Sequence, residues 1–450
     1  MKLVYIVSLG CVKNLVDTEI ASGSLIVNSI GLTQTPENAD VYFINTCSFI
    51  QSARDEAQEV IEDAVTWKKS NPNGKIIIAG CLVNWDKKFI FKKKYQEVDS
   101  WIHSDDISKL AEIINSLDFP NKELPEHIAN KKQTDRKPVY IYNEKTPRIQ
   151  LTLPHIAYLK IADGCDNNCT YCTIPSIRGN LRCRTLNSIL KEARNLISNG
   201  VKELILIAQD LAAFNAGSED ENLAALLSRL DTIEGNFMLR LLYIHPCHLS
   251  EEIIDIIAES EHIFHYLDLP IQHISDKILK SMNRKITQSE IIGKIEYIRA
   301  KIPDIAIRTT FITGFPGETE KDFNILKDFI EKTKFSRAGF FTYFQEKGTP
   351  AAAMQEQIPY STALKRKNIL ENIQKNISLD FNKKLIGQKI TVTIDGFLEN
   401  GNALARSYMD APEVDNVIVI PNSQNLIPGD SYTVKIKQVD ENTLFAEQLQ

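Results

Sequence analysis

Three cysteines crowd one loop of the segment GCDNNCTYCTIPSIRG, which begins at Gly164: Cys165, then Cys169 after three intervening residues, then Cys172 after two more. Such a loop reads as half of a zinc site, as a ligand set for an iron-sulfur cluster or as coincidence, and the density of thiols counts against coincidence. A closed structural zinc site needs a fourth ligand, and this spacing differs from the paired two-residue gaps of common zinc modules. His155 and His273 could supply that ligand, although a single histidine beside a strand is more often packed or hydrogen-bonded. A four-iron cluster takes four thiolates. With three, one iron keeps an open position where a substrate or cofactor can bind.

A second set of thiols is spread over the start of the chain. The runs KLVYIVSLGC, DVYFINTC and GKIIIAGC each end in a cysteine, namely Cys11, Cys47 and Cys81. The runs are apolar and β-branched, and helical stretches from about Asn14 to Ile30 and from about Ser52 to Lys69 separate them. This alternation predicts a parallel sheet covered on both faces. Ligands of such sheets sit beyond the carboxyl ends of the strands, so three neighbouring strands would bring three thiols to one edge. Any one of them reads more simply as a small buried residue. The same position on three successive strands favours a site.

Downstream lie the elements that must carry the cysteine loop. Residues 119–150, rich in proline and charge, read as a linker between an α/β domain over 1–118 and a second domain beginning at 151. Six strand-like runs then recur: HIAYLKIA, ELILIAQD, MLRLLYIHP, YLDLPIQH, IAIRTTFITGFPG and RAGFFTYF. Helical stretches lie between them, such as Leu186 to Asn199, with Thr185 as N-cap and Gly200 at its end. The pattern predicts an incomplete (β/α) barrel over 151–382, with the cysteine loop after its first strand, on the functional rim. A helical segment from about Ser361 to Leu385 leads into short strands with frequent turns, a small β-barrel over 383–450. The fold class is α/β with an all-β C-terminal domain.

At 450 residues, 43% hydrophobic and 24% charged, the chain is a globular protein of two or three domains. A formal net charge of -6 excludes a strongly basic nucleic-acid binder. The opening MKLVYIVSLGC reads as a strand, its apolar run being too short for a signal, and no stretch approaches a membrane span. The expected compartment is the cytoplasm. Thiols are kept reduced there, so the eight cysteines are candidate ligands rather than disulfides. Residues 385–450 hold four basic against nine acidic side chains, a net charge of -5. Such a surface repels a phosphate backbone and attracts a basic protein. A solvated face that touches nothing is the plainer alternative.

CDNNCTYC resembles the cluster-binding loop of the radical S-adenosylmethionine enzymes. The resemblance implies that Cys165, Cys169 and Cys172 hold a 4Fe-4S cluster and that the methionine moiety of S-adenosylmethionine chelates its open iron. It also implies a 5′-deoxyadenosyl radical able to take hydrogen from an unactivated carbon. Tyr171 would lie beside the adenine, or simply pack; Gln209, within the AQD that ends the second barrel strand, would reach the cofactor, or make a structural hydrogen bond. The whole chain resembles the methylthiotransferases, which join an α/β domain, a radical barrel and a C-terminal TRAM β-domain in this same order. By that resemblance Cys11, Cys47 and Cys81 hold a second, auxiliary 4Fe-4S cluster, whose open iron presents the sulfur to be transferred.

SLGCVKNLVDTE, YLDLPIQHIS and ARSYMDAPEVDN resemble the branch of that family that modifies the β-carbon of an aspartate in small-subunit ribosomal protein S-twelve. Its implied partners are that protein, an electron donor and a sulfur donor. The sequence departs from the branch at Val12 and Cys183, and Cys247 has no assigned role. The rival readings are a transfer-RNA adenosine methylthiotransferase and a zinc-stabilised binding module without turnover. Three further features have weaker signals. Arg178, Arg182 and Arg184 could receive the target carboxylate, or form structural ion pairs. Gly314 and Gly317 of FITGFPGET could let the backbone approach a cofactor, or only lead into a helix near Glu318. Asn14 and Asp17 read as the start of a helix.

Overall fold

The computed structural model describes residues 1–117, 137–421, 423 and 425–449. They form two compact units: residues 1–151 with 160–168 and 172–189, and residues 152–159 with 169–171 and 190–450.

The first unit is built on a parallel sheet. Its strands are β1 (Leu3–Ser8), β2 (Gly31–Thr33), β3 (Val41–Thr46), β4 (Lys75–Gly80) and β5 (Ser100–Ile102), in the order β2-β1-β3-β4-β5. All six residues of β3 are buried, which demands cover on both faces and explains why its sequence is a continuous apolar run rather than an alternation. Ala57, Ile61 and Ala64 of the helix Gln51–Ser70 pack against Tyr42, Ile44, Ile76 and Ile78 of the sheet. The first helix runs Val12–Val27, beginning directly after Cys11 and stopping where Ser29 takes a left-handed φ of 59°. Of the stretch read as a linker, residues 119–136 lie outside the described residues. Residues 137–150 hold no helix or strand, yet they are fastened to this unit. The amides of Val139 and Tyr140 donate to the Asp105 carboxylate at 2.9 and 3.1 Å, and Arg148 pairs with Glu19 at 2.6 Å.

An antiparallel pair, β7 (Ala162–Asp163) with β8 (Arg182–Cys183), flanks the cysteine loop. Two residues per strand are too few to give a periodicity, so sequence reading passes over it.

The six strands expected are β6 (Ile156–Lys160), β9 (Glu203–Ile207), β10 (Met238–Leu241), β11 (Ile263–Asp268), β12 (Ala306–Thr313) and β13 (Arg337–Thr342), all in the second unit but for Lys160 at the end of β6. They form one sheet in the order β13-β12-β11-β10-β9-β6, which stays open. Neighbours from β9 to β13 are parallel. The helix Leu186–Ser198 carries the expected cap, the Thr185 hydroxyl accepting from the Ser188 amide at 3.3 Å. After the helix Tyr360–Lys384 come β14 (Lys389–Phe397), β15 (Ala403–Arg406), β16 (Val417–Ile420), β17 (Ser431–Val439) and β18 (Thr443–Gln448). These close into a barrel in the order β14-β15-β16-β18-β17, with Val392, Ile394, Val434 and Ile436 inside. Among the described residues no helix is long and apolar enough to cross a membrane.

A buried charge network ties this small barrel to β9 and β10. Glu203 accepts from Arg240 at 2.6 Å and from Arg406 at 3.0 Å, and Arg406 also pairs with Asp395 at 2.5 Å. Burial pushes the Glu203 carboxyl up, but Arg240 and Arg406 outweigh it and the carboxyl ends below its usual value. Its stabilisation is therefore complete above the unfolded glutamate pKa of about 4.3 and is lost as pH falls through the lower folded value. Glu203→Gln leaves two buried guanidiniums short of a partner and should cost about 3–5 kcal/mol at neutral pH. Chemical denaturation at pH 7 and pH 3.5 checks this, the gap between variant and native protein shrinking in acid.

Candidate metal centre

Strands β1, β3 and β4 lie side by side, and a cysteine follows each: Cys11 caps the helix Val12–Val27, Cys47 succeeds β3, and Cys81 opens a short helix, Cys81–Trp85. The three thiols lie within electrostatic reach of one another and none is in a disulfide. Gly10, at φ 88°, makes the approach possible: a Cβ there would stand 2.5 Å from the Cβ of Cys47 and 2.8 Å from its Sγ. Cys47 and Cys81 are buried and Cys11 is exposed. Burial pushes the Cys81 thiol up to about 12 despite the opposing pull of Arg178. Three thiols so placed are a poor disulfide or nucleophile set and a good set for a soft metal, whose charge draws off their protons. This donor set fits an iron-sulfur cluster with one iron left open.

Arg178 is the hub of this edge. It is 3% exposed, and its Nε donates to Cys81 Sγ at 3.3 Å. Its Nη1 donates to Asp17 at 2.6 Å and to Asp163 at 3.3 Å, and its Nη2 to the Asn14 side chain at 3.1 Å. Lys160 pairs with Asp17 and, at 3.6 Å, with Asp163. Asn14 and Asp17 therefore do not serve as helix caps; they are partners of residues far along the chain. Arg178 makes the structural ion pairs that were one of the two readings of the arginines, and Arg182 lies 3.9 Å from Asp163. Arg184 is buried over the Tyr142 ring and bound to Ser188, and Arg182 donates to the carbonyls of Arg178 and Asn180.

In the cysteine loop, the Cys165 amide donates to the Gly179 carbonyl at 3.2 Å. Within the second unit, Cys169 is buried and accepts from Arg284 Nη1 at 3.5 Å; the same atom is 3.4 Å from the Tyr171 hydroxyl. Arg284 Nη2 is anchored on the Pro270 carbonyl, just past β11, at 2.5 Å. Tyr171 packs on a cluster formed by Ile278, Met282, Phe315 and Ala351. Gln209 stands two residues past β9, and its neighbour Asp210 is bound to the loop after β10. Asp210 Oδ2 is 2.6 Å from His248 Nδ1 and Oδ1 accepts from the His245 amide at 3.2 Å. Burial, reinforced by Arg284, pushes the His245 ring down to about 3.

Other candidates take structural roles. His155 faces Asp395 at 3.0 Å, and the fully buried His273 accepts from the Ser275 amide at 3.0 Å. Gly314 owes its lack of a side chain to packing rather than to ligand approach, since a Cβ there would lie 2.2 Å from that of Ala363. Its amide donates to Glu318, whose carboxyl burial pushes up to about 7 against the pull of Arg366. The helix beyond it starts at Glu320, with Thr319 and Asp322 forming a capping box. Cys183 sits in β8 opposite Ala162, and Cys247 Sγ donates to the Lys285 carbonyl at 3.2 Å. Arg284, Asp163 and Lys160 escaped sequence reading. The pattern HPCH beginning at His245 was the one local signal for the histidine cluster, and its partner Asp210 lies 35 positions earlier.

Known proteins fit this description. Residues 3–103 match the Uncharacterized protein family UPF0004, residues 159–330 the Radical SAM superfamily, and residues 386–449 the TRAM domain. The chain is 42% identical to the ribosomal protein uS12 methylthiotransferase RimO of Carboxydothermus hydrogenoformans, over 97% of each chain. It is 39% identical to the RimO of Desulforamulus reducens over 99% of each, and 39% identical to that of Clostridioides difficile over 98% of each. Among solved structures it is similar to the radical S-adenosylmethionine methyltransferase TsrM of Kitasatospora setae, with a TM-score of 0.57 and 14% identity, covering 90% of this chain and 81% of that one. That likeness concerns the fold alone.

Proposed function

This chain belongs to the ribosomal protein uS12 methylthiotransferase RimO family, and from that membership we propose that it attaches a methylthio group to the β-carbon of an aspartate of uS12. It is a radical S-adenosylmethionine enzyme using two 4Fe-4S clusters. Cys11, Cys47 and Cys81 hold the auxiliary cluster; Cys165, Cys169 and Cys172 hold the other. The observation that carries this reading is the meeting of three thiols at the ends of three adjacent strands. When bound, the clusters and S-adenosylmethionine supply a radical that takes hydrogen from an unactivated carbon and the sulfur that replaces it.

The chain's own residues orient and shield. Arg178 and Arg284 each direct an N–H at one ligand thiol, and burial of Cys47, Cys81 and Cys169 keeps water from those sulfurs. The domain division 1–118, 151–382 and 383–450 assigns one task to each part: sulfur supply, radical formation, and docking of the substrate. The acidic C-terminal domain suits a basic ribosomal protein better than transfer RNA. Partners that deliver electrons and sulfur complete the reaction, in the cytoplasm.

The direct test incubates anaerobically reconstituted enzyme, reductant and S-adenosylmethionine with uS12 or with transfer RNA. The expected result is a gain of about 46 mass units, that of a methylthio group replacing hydrogen, on the aspartate-bearing peptide of uS12 alone. A gain on adenosine instead would overturn the substrate assignment.

A further inference from the structure

The rim of the open sheet holds a second constellation that the clusters do not use. Asp210 follows β9, His245 and His248 follow β10, and one ligand-type atom from each lies within 4.8 Å of the others. Such a trio invites a metal, but its bonding argues otherwise. Asp210 spends Oδ2 on His248 Nδ1 and Oδ1 on the His245 amide, while His245 Nδ1 accepts from the Cys247 amide at 3.1 Å. Two cations, buried Arg284 and exposed Lys285, act on the same cluster against the single carboxylate. That field opposes a dication and welcomes an anion.

His248 is the member that faces outward. Its side chain is 31% exposed, whereas that of Asp210 is 2% exposed. With Nδ1 fixed by Asp210, the ring's orientation is set and Nε2 is the edge left to meet a ligand. The constellation also borders the chemistry: Arg284, which acts on His245 and Asp210, donates to Cys169 Sγ. A substrate group bound here stands on the same strand-end rim as a proposed cluster ligand.

We propose that His248, positioned by Asp210, receives the side-chain carboxylate of the target aspartate through Nε2. The inference rests on uS12 being the substrate and adds to it the group that distinguishes aspartate from its neutral isostere. The contact uses both ring N–H groups of an imidazolium, Nδ1–H donating to Asp210 and Nε2–H to the substrate carboxylate, which makes it a charge-assisted hydrogen bond. Arg284 and Lys285 add long-range attraction, and the buried Asp210 keeps the imidazole from turning away.

The test measures affinity as well as turnover. Fluorescently labelled uS12, native or with the target aspartate replaced by asparagine, is titrated with native, His248→Gln, His248→Arg and Asp210→Asn holoenzyme. Equal iron and sulfide contents certify that each variant is folded. We expect His248→Gln to weaken binding of native uS12 at least about tenfold, the size of one charge-assisted hydrogen bond, with KM rising in parallel. The asparagine substrate should bind native and His248→Gln enzyme alike, and His248→Arg should restore part of the aspartate preference. Equal losses on both substrates, or no loss, would overturn the assignment. So would a divalent metal, other than iron, bound stoichiometrically to the native enzyme and absent from His248→Gln. Failure of the native enzyme to modify uS12 at all would instead remove the reading beneath it, and the inference with it.

Discussion

Cys169→Ala is expected to abolish cleavage of S-adenosylmethionine, whereas Cys47→Ala should retain abortive cleavage while losing all sulfur insertion. The asymmetry comes from giving the two triads separate tasks. Losing one of three thiolates leaves a four-iron cluster with too few protein ligands, so each variant should drop from about eight to about four irons per chain. In the Cys169 variant the lost cluster is the one that delivers the electron. In the Cys47 variant it is the one that presents sulfur. Iron and sulfide assays, chromatography of 5′-deoxyadenosine and the mass of uS12 separate these outcomes. Wild-type sulfur insertion by Cys47→Ala would sink the assignment of Cys11, Cys47 and Cys81.

The range of each interaction decides how much of the fold and site is legible in the sequence. Strands β1, β3 and β4 are apolar runs bounded by helices, so their existence, their parallel pairing and the edge where their cysteines lie can be read from local pattern, whereas the short β2 and β5 cannot. The six strands of the open sheet and the five of the closed barrel are legible for the same reason. Asn14 and Asp17 are not: near a helix start their type suggests caps, but their partners Lys160 and Arg178 stand more than 140 positions away. Gly314 misleads in the same manner, because the atom that excludes a side chain belongs to Ala363. Arg284 carries no local signal at all. What sequence pattern conveys is the scaffold and the strongest ligand types; which charges meet in the interior depends on the completed packing.

Arg178, legible in the sequence as a candidate ion-pair residue but not by its partners, shows how heavily a site can lean on such packing. Its guanidinium serves Cys81, Asp17, Asp163 and Asn14 together, a task for a planar fork rather than a point charge. Arg178→Met keeps the bulk but leaves the buried Asp17 and Asp163 carboxylates to share Lys160, with Arg182 3.9 Å from Asp163, and should destabilise the first unit by about 3–5 kcal/mol. Arg178→Lys should recover some of that loss through charge while leaving the Cys81 and Asn14 contacts unmade. Adding Asp17→Asn to Arg178→Met removes one stranded charge, so the double variant should be more stable than the single one, a non-additivity that only coupled residues produce. Denaturant midpoints of the cluster-free protein measure all of this without the metal. In the loaded protein, the Met variant should also lose iron from the auxiliary site faster under chelator, because the N–H that steadies Cys81 is gone. Wild-type midpoints for Arg178→Met would mean that the network neither holds this edge together nor prepares its thiols for a cluster.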